Sequence, residues 1–428
     1  VPQGTFFGSG QGYVEVFGMQ NDAYSFFGQV DVHMMDDRMT LTLGANYTDD
    51  KKDSQTNIVG TDVFSSLDLE AVGGAFIYAA VFQQYIAGGA GVPTATAIAT
   101  GTAAALAPLE CSAANLPPAC NSLLALVPFQ FLPPYLGFPN SVENGSTADD
   151  DVTWTARLAF DATDSVNIYV AAATGFKATS WNLSRDSRPF AADLGAINAG
   201  GLGLNNLNAG TRYAGPEEAT VYEVGLKARF DRGSVNVAIF DQTIKGFQSN
   251  TFLGTGFVLA NADKQSTTGL ELETTFAPTD DFKISFAGTW MDPVYDSFAG
   301  ASGVNGPIDL SGEKVAGVHG FSMNLSAVYN FEFGDSASGF VRAEYIYDDE
   351  VQVVDDVSAT IASREVGTFN ASLGLQWENG FEAMLWGRNI NNDDYLLSAF
   401  PSVAQAGSLS GYPNEPRTYG LTITKRFD

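Results

Sequence analysis

Hydrophobic and polar residues alternate one by one through most of this chain. In the last such segment Tyr419, Leu421 and Ile423 fall on one face, and threonines and a glycine fall on the other. A period of two is that of a β-strand. An apolar face ending near an aromatic residue, Phe427, suits a strand with hydrocarbon on one side and water on the other. The pattern predicts an all-β fold, an antiparallel transmembrane β-barrel of meandering strands.

The same alternation recurs as a series of hairpins. The first begins at Ala23 and turns at Met35–Arg38, and later turns are predicted at residues 161–164, 231–233, 278–281, 333–335 and 378–380. We count about 13 strands, or about 14 if Gly12–Met19 forms one, each of about nine to fifteen residues, which is the length of a tilted membrane strand. Short turns at one end and long loops at the other are typical of outer-membrane barrels.

Charges of both signs lie on the polar face of the predicted strands. A water-filled lumen accommodates such charges, whereas the dry core of a soluble β-sandwich does not. A soluble secreted β-protein, such as an adhesin, is therefore a less favoured alternative. The inward charges are Glu223, Lys227, Arg229, Glu271, Glu273, Arg342, Glu344 and Arg388.

The longest loop is predicted between residues 48 and 151, inside a single barrel unit of residues 1–428. It contains two apolar stretches, residues 71–87 and 93–107, which we expect to form short helices over the barrel mouth. Its two cysteines, Cys111 and Cys120, lie close together and favour a local disulfide in an oxidising compartment. The alternative is a pair of unpaired buried thiols.

Composition narrows the function. The chain has 21 Lys+Arg against 49 Asp+Glu and a formal net charge of −28, so it lacks the basic surface that a nucleic-acid-binding protein needs. Only 16% of its residues are charged, and 45 are glycine, as suits short turns and close strand contacts. Gly225 and Gly269 are expected to relieve crowding between large neighbouring side chains.

Seven segments share a recognisable order and spacing. They are Tyr24–Val30, Leu41–Lys52, Ile168–Lys177, Tyr222–Lys227, Gly269–Glu273, Gly387–Tyr395 and Pro416–Gly420. Together they cover about residue 23 to the end, apart from the long loop, and they resemble the C-terminal barrel of TonB-dependent outer-membrane receptors.

The resemblance implies a fold and a function. Members of this family form barrels of 22 strands in the outer membrane of Gram-negative bacteria and import siderophores and other scarce nutrients. They are coupled to a TonB-type energy-transducing protein through an N-terminal box, which is followed by a plug domain. Neither segment has a counterpart here, so the resemblance implies that this chain is the C-terminal part of a receptor. The alternative is a passive channel or scaffold barrel without energy coupling.

Candidate ligand contacts lie in the loop after residue 177. Trp181, Arg185 and Arg188 combine an aromatic ring with cations, which suits an anionic metal chelate. No catalytic, metal or cofactor site is predicted, because His33 and His319 have no third ligand at metal-binding spacing. Asp149–Asp151 has the chemistry to bind a cation such as Ca²⁺, but a solvated loop end is the favoured interpretation. The sequence leaves the ligand's identity open.

Overall fold

The fold is described from a computed structural model, which defines residues 13–60, 64, 67–112, 115–117, 119–129, 145–182, 212–252, 257–303, 306–334, 336–355, 357–358, 360–401 and 408–427. Most of these residues are in β-strands. In chain order the strands are β1 Tyr13–Met34, β2 Met39–Gly60, β3 Ser146–Thr163, β4 Val166–Lys177, β5 Ser180–Trp181, β6 Tyr213–Ala214, β7 Glu217–Phe230, β8 Gly233–Phe252, β9 Phe257–Phe276, β10 Phe282–Ser297, β11 Ala301–Gly303, β12 Gly306–Ile308, β13 Phe321–Glu332, β14 Ala337–Gln352, β15 Ser363–Trp377, β16 Phe381–Arg388, β17 Leu396–Pro401, β18 Leu409–Pro413 and β19 Thr418–Lys425.

One antiparallel sheet contains thirteen of these strands, in the order β1-β2-β3-β4-β7-β8-β9-β10-β13-β14-β15-β16-β19. Every strand pairs with the one before it along the sheet, as the hairpin pattern predicts. Turns of two to five residues join the strands at one end, and the long loops lie at the other. Three small two-stranded sheets, β5-β6, β11-β12 and β17-β18, belong to those loops.

Three details of the sequence interpretation are wrong. Residues 13–19 are continuous with β1, so the possible fourteenth strand does not exist separately. Residues 48–60 and 146–151 belong to β2 and β3, which shortens the long insertion to residues 61–145. Strands reach 22 residues, because backbone pairing continues through polar segments beyond the apolar band. Alternation detects only the part of a strand that faces two different environments.

The apolar face of the sheet forms continuous rows across neighbouring strands. Val341 pairs with Leu373, Leu373 with Leu385, and Leu385 with Leu421. All four side chains are exposed, from 40% for Leu373 to 64% for Leu421. Leaving a row of this kind in water would cost about 25 cal/mol per Å² of apolar surface, which lipid contact removes. This face is the lipid-facing outer surface of the barrel wall.

On the inner face, aromatic rings lie flat over glycines of the next strand. A Cβ atom on Gly225 would stand 2.4 Å from the Tyr169 ring, and one on Gly269 would stand 2.4 Å from Phe240. The expectation that these glycines relieve crowding is therefore confirmed. Four cross-strand pairs share this arrangement, namely Tyr169 with Gly225, Phe240 with Gly269, Phe340 with Gly374 and Trp386 with Gly420.

The long insertion contains a helical hairpin with its own small core. Helix α1, Leu69–Ala87, begins at Asp68, whose carboxylate accepts a hydrogen bond from the Ala71 N–H, and α2, Val92–Leu106, begins with a proline. Ile77, Val81 and Ala99 pack between them. A 3₁₀ helix, Leu124–Phe129, follows. Among the described residues, no helix is long and apolar enough to cross a membrane.

Asn121 and a disulfide close this helical hairpin. The buried Asn121 amide donates to the carbonyls of Leu69 and Ala107 at 3.0 and 2.9 Å, which joins the start of α1 to the end of α2. Cys111 and Cys120 form a disulfide, with their Cα atoms 5.0 Å apart. Buried polar groups need such partners, since each unsatisfied one costs about 1 to 3 kcal/mol.

Candidate ligand cavity at the loop end

The loop between β10 and β13 packs against the long-loop end of the sheet. Tyr295, at the end of β10, and Phe298 are 2% exposed and pack with Leu310 and Val315 of this loop. Ala262 of β9 and the partly buried Phe247 of β8 complete this core. A loop held by its own apolar core narrows the long-loop end and supplies a rigid wall for a site.

A cavity of about 510 Å³ lies between this loop and the end of β14. We call it the mouth cavity. It is within the size range of small-molecule sites. Its charged lining consists of five carboxylates and one lysine, Asp309, Glu313, Lys314, Asp349, Glu350 and Asp355. Lys314 pairs with Asp292 and does not neutralise the five carboxylates. The electrostatic potential in the cavity is therefore negative.

Local hydrogen bonds hold two of these carboxylates. Asp309 accepts a hydrogen bond from the Ser311 N–H at 2.9 Å, and its hydrogen bonds with Ser311 lower its pKa below the ordinary value. Asp355 accepts from the Ala316 N–H at 3.4 Å and from the Tyr295 hydroxyl at 3.5 Å. These bonds orient acceptor oxygens before any ligand arrives, which favours groups that donate hydrogen bonds.

Arg364 ties together the loops around the mouth cavity. Its guanidinium donates to His319 Nε2 at 2.9 and 3.1 Å, to the Gly317 carbonyl at 3.2 Å and to the Leu397 carbonyl at 3.2 Å. His319 is 8% exposed, and its Nδ1 contacts the Asp349 carbonyl. This pattern fits a neutral imidazole with its proton on Nδ1. We call this set of contacts the Arg364 latch.

Trp181 lies at the base of the loop that carries the sequence-predicted ligand contacts. It pairs with Tyr213 in the two-residue β5-β6 ladder, and the two rings lie 5.0 Å apart. Its indole N–H donates to the Thr147 hydroxyl at 3.0 Å. Trp181 therefore fixes the loop base to β3. Arg185 and Arg188 lie outside the described residues.

Gln248 of β8 holds the same loop base from the other side. Its amide donates to the carbonyls of Ala178 and Gly215 at 3.0 and 2.8 Å, and its oxygen accepts from the Ser180 hydroxyl at 2.6 Å. Every polar atom of this side chain is therefore used between β4 and β7. These hydrogen bonds make the base of the loop rigid.

The fold of the sheet agrees with a comparison against protein families. The model described as "TonB dependent receptor-like, beta-barrel" matches residues 2–392. The chain belongs to this family. Its lipid-facing rows, polar inner face and asymmetric loops are those of a TonB-dependent receptor barrel.

Solved structures show the same fold at low sequence identity. The ferric yersiniabactin uptake receptor FyuA from Yersinia pestis matches with a TM-score of 0.62 at 14% identity, covering 96% of this chain and 46% of that one. The copper transporter OprC matches with a TM-score of 0.57 at 12% identity, covering 96% and 49%. The ferric preacinetobactin receptor BauA from Acinetobacter baumannii matches with 0.52 at 13%, covering 95% and 43%. This receptor barrel thus spans less than half the length of these relatives.

A metal site in the receptor barrel would need a cluster of His, Cys, Asp or Glu side chains. No group of three or more His, Cys, Asp or Glu side chains has a metal-binding arrangement within the described part of the chain. Two carboxylates of the Asp149–Asp151 run are used locally, since Asp149 accepts from the Thr179 N–H at 3.0 Å and Asp151 from the Val152 N–H at 2.7 Å. The run lies inside β3, so the loop-end interpretation is wrong, and the bond from Thr179 ties this part of β3 to the residues after β4.

The sequence does not predict the mouth cavity or the Arg364 latch. The sequence shows only that His319 has no metal-binding partners at the right spacing, and it does not single out Arg364. Their partners, Gly317 and Leu397, come from separate loops with no shared motif. Only the inward position of Arg364 on β15, opposite in phase to Phe369, was accessible from alternation.

Proposed function

We propose that this chain forms most of the barrel wall of an outer-membrane receptor that takes up a small molecule, a metal chelate of the siderophore kind or another scarce nutrient. The observation that carries the proposal is the position of the mouth cavity. It lies at the long-loop end of the sheet, between the loop after β10 and the end of β14. The role is transport rather than catalysis.

Family membership and two of the structural relatives support uptake. FyuA and BauA are receptors for ferric chelates by their own descriptions, and this chain shares their fold. The proposed partners are outer-membrane lipid around the wall and a TonB-type protein. The TonB-type protein would act through a part of the receptor that corresponds to the uncovered half of these relatives.

The charges suggest how a ligand is held. The carboxylates of the mouth cavity suit a cationic or hydrogen-bond-donating group. Trp181, Arg185 and Arg188 remain our proposed contacts for an anionic part of the same ligand.

The test is energy-dependent uptake in the native cell. A strain lacking the gene should lose accumulation of one radiolabelled ferric chelate from a panel, and the plasmid-borne gene should restore it. A protonophore should abolish the restored uptake, because transport through a gated receptor requires energy coupling. Uptake that survives the protonophore would instead support the passive channel, and unaltered uptake in the deletion strain would contradict both.

A further inference from the structure

The Arg364 latch contains a buried histidine whose two ring nitrogens face groups of opposite kinds. The Nε2 atom of His319 accepts hydrogen bonds from the Arg364 guanidinium at 2.9 and 3.1 Å, and its Nδ1 contacts the Asp349 carbonyl. A guanidinium can only donate and a carbonyl can only accept, so this arrangement requires a neutral ring with its proton on Nδ1. The latch therefore depends on the protonation state of one side chain.

A proton on Nε2 would make the contact with Arg364 repulsive. The imidazolium ring carries N–H donors on both nitrogens, so one of them would face the N–H groups of the guanidinium. His319 is 8% exposed, and little water is present to screen the two positive charges. Arg364 would have to move away. The same guanidinium holds the Gly317 and Leu397 carbonyls, so these bonds would break with it.

A carboxylate is available for the protonated ring. Asp349 Oδ1 lies 3.8 Å from His319 Nδ1, is buried, and has no hydrogen-bond partner among the described residues. The register of β14 and β15 shifts here, from Asp348 opposite Val366 to Val351 opposite Arg364, so Asp349 lies in a β-bulge. The ring thus has Arg364 as a partner when it is neutral and Asp349 when it is charged.

The other charges around His319 do not replace Arg364. Lys314 is the second cation, and it pairs with Asp292. Carboxylates outnumber cations, which favours a positive charge on the ring once Arg364 has moved. The charged groups on the surrounding elements are Asp309, Glu313 and Lys314 of the same loop, Asp292 of β10, Asp348, Asp349 and Glu350 of β14, Asp355 after β14, Arg364 and Glu365 of β15, and Asp393 and Asp394 before β17.

We propose that the Arg364 latch is a pH-sensitive switch, closed when His319 is neutral and open when His319 takes up a proton. Opening separates the loop before β13 from β17 and loosens the mouth cavity. An imidazole in water takes up a proton near pH 6.5, so the change falls in the mildly acidic range. The proposal concerns the conformation of the mouth and holds whether or not the receptor takes up a chelate.

Hydrogen exchange of the purified receptor in detergent, at pH 7.5 and pH 5.0, tests the switch. The two states are compared as protection factors, because the intrinsic exchange rate also changes with pH. Residues 314–320 and 396–398 should lose protection about 30-fold at pH 5.0, since one proton taken up on opening contributes about tenfold per pH unit below 6.5. His319→Gln keeps an acceptor for Arg364 but does not titrate, so its loops should stay protected at both pH values.

His33→Gln is the matched control. His33 is exposed near the short-turn end, and this variant should keep the pH dependence of the wild type. The chain has two histidines, so the variant also leaves His319 as the only one. Its ring can then be followed by NMR, and its protonation should coincide with the loss of protection.

Three results would overturn the switch. One is equal protection of residues 314–320 in the wild type at both pH values. Another is the wild-type pH dependence in His319→Gln. The third is a His319 ring that is protonated while its loop stays protected, and this measurement decides the question even if His319→Gln itself loosens the loop.

Discussion

The mouth cavity and a second cavity of about 450 Å³ on the inner face of β14, β15, β16 and β19, which we call the wall cavity, are built in different ways. Loops that are distant in sequence form the mouth, and the Arg364 latch joins them through carbonyls and one histidine. The wall cavity is formed by adjacent strands, whose backbone ladder fixes every lining residue. The mouth is acidic and the wall cavity is basic. Loop residues at the mouth can change without altering the strands, whereas the backbone ladder fixes the geometry of the wall cavity.

The largest expected effect comes from Arg364→Ala, which should loosen the mouth and leave the wall unchanged. It removes the donors to His319, Gly317 and Leu397 together. Leaving partly buried acceptors unpaired costs about 2 to 3 kcal/mol in local opening. Hydrogen exchange of residues 314–320 should rise by about 30- to 100-fold.

Arg232→Ala is the control for the latch, because Arg232 also donates to backbone carbonyls, those of Ala277 and Pro278, but at the short-turn end. It should not change exchange in residues 314–320. Equal protection of this loop in Arg364→Ala and the wild type would show that the apolar core around Phe298 orders the loop by itself.

Gly225→Ala should damage the wall instead. Its new Cβ would stand 2.4 Å from the Tyr169 ring, so the ring must move and its hydrogen bond to Glu223 must break. Overpacking of this kind costs about 1 to 3 kcal/mol. The midpoint of heat- or urea-induced unfolding, followed by gel mobility, should fall. Gly28→Ala, where a Cβ meets nothing within 4 Å, should leave the midpoint unchanged.

A smaller effect should distinguish the charge preference of the two cavities. Glu350 lines the mouth cavity and is exposed. Glu350→Gln should weaken binding of spermidine, a small polycation, by about two- to fivefold, as is typical of one exposed charge pair. Glu378→Gln, at the opposite end of the barrel, is the control, and equal losses in both variants would mean that spermidine senses only the overall net charge.

The smallest effect concerns the titration of one carboxylate. The Ser311 side chain and backbone hold the pKa of Asp309 below its ordinary value of 3.8. Since the folded pKa is the lower one, the ionised carboxylate is favoured in the fold. That contribution is present above the unfolded pKa and is lost as the pH falls through the folded value. Ser311→Ala should raise the pKa of Asp309, as measured by carboxyl NMR, whereas Ser338→Ala should not.

The sequence predicts the strands of the barrel wall well, because each of their side chains faces either lipid or the lumen. Strand β19 alternates as expected, with Tyr419, Leu421 and Ile423 exposed on the outer face. The inward positions of Arg342 and Arg388 follow from the same phase. The cavity that they share does not follow, because it depends on the register between β14, β15 and β16, which alternation does not give.

The mouth was inaccessible for a different reason. His319, Asp349 and Arg364 meet only because three strand ends and their loops converge in space. Loop residues follow no period, and hydrogen bonds to carbonyls such as that of Leu397 depend on backbone position rather than residue type. Trp181 remains a predicted ligand contact, and the sequence cannot show that its N–H already donates to Thr147.

The aromatic and glycine pairs of the inner face also set the bore of the barrel. A ring that had no glycine beneath it would have to point toward the axis, where it would narrow the passage. With Tyr169, Phe240, Phe340 and Trp386 lying flat, the bulkiest side chains of the wall take up little of the cross-section. The glycine beneath each ring thereby leaves more of the barrel's cross-section open.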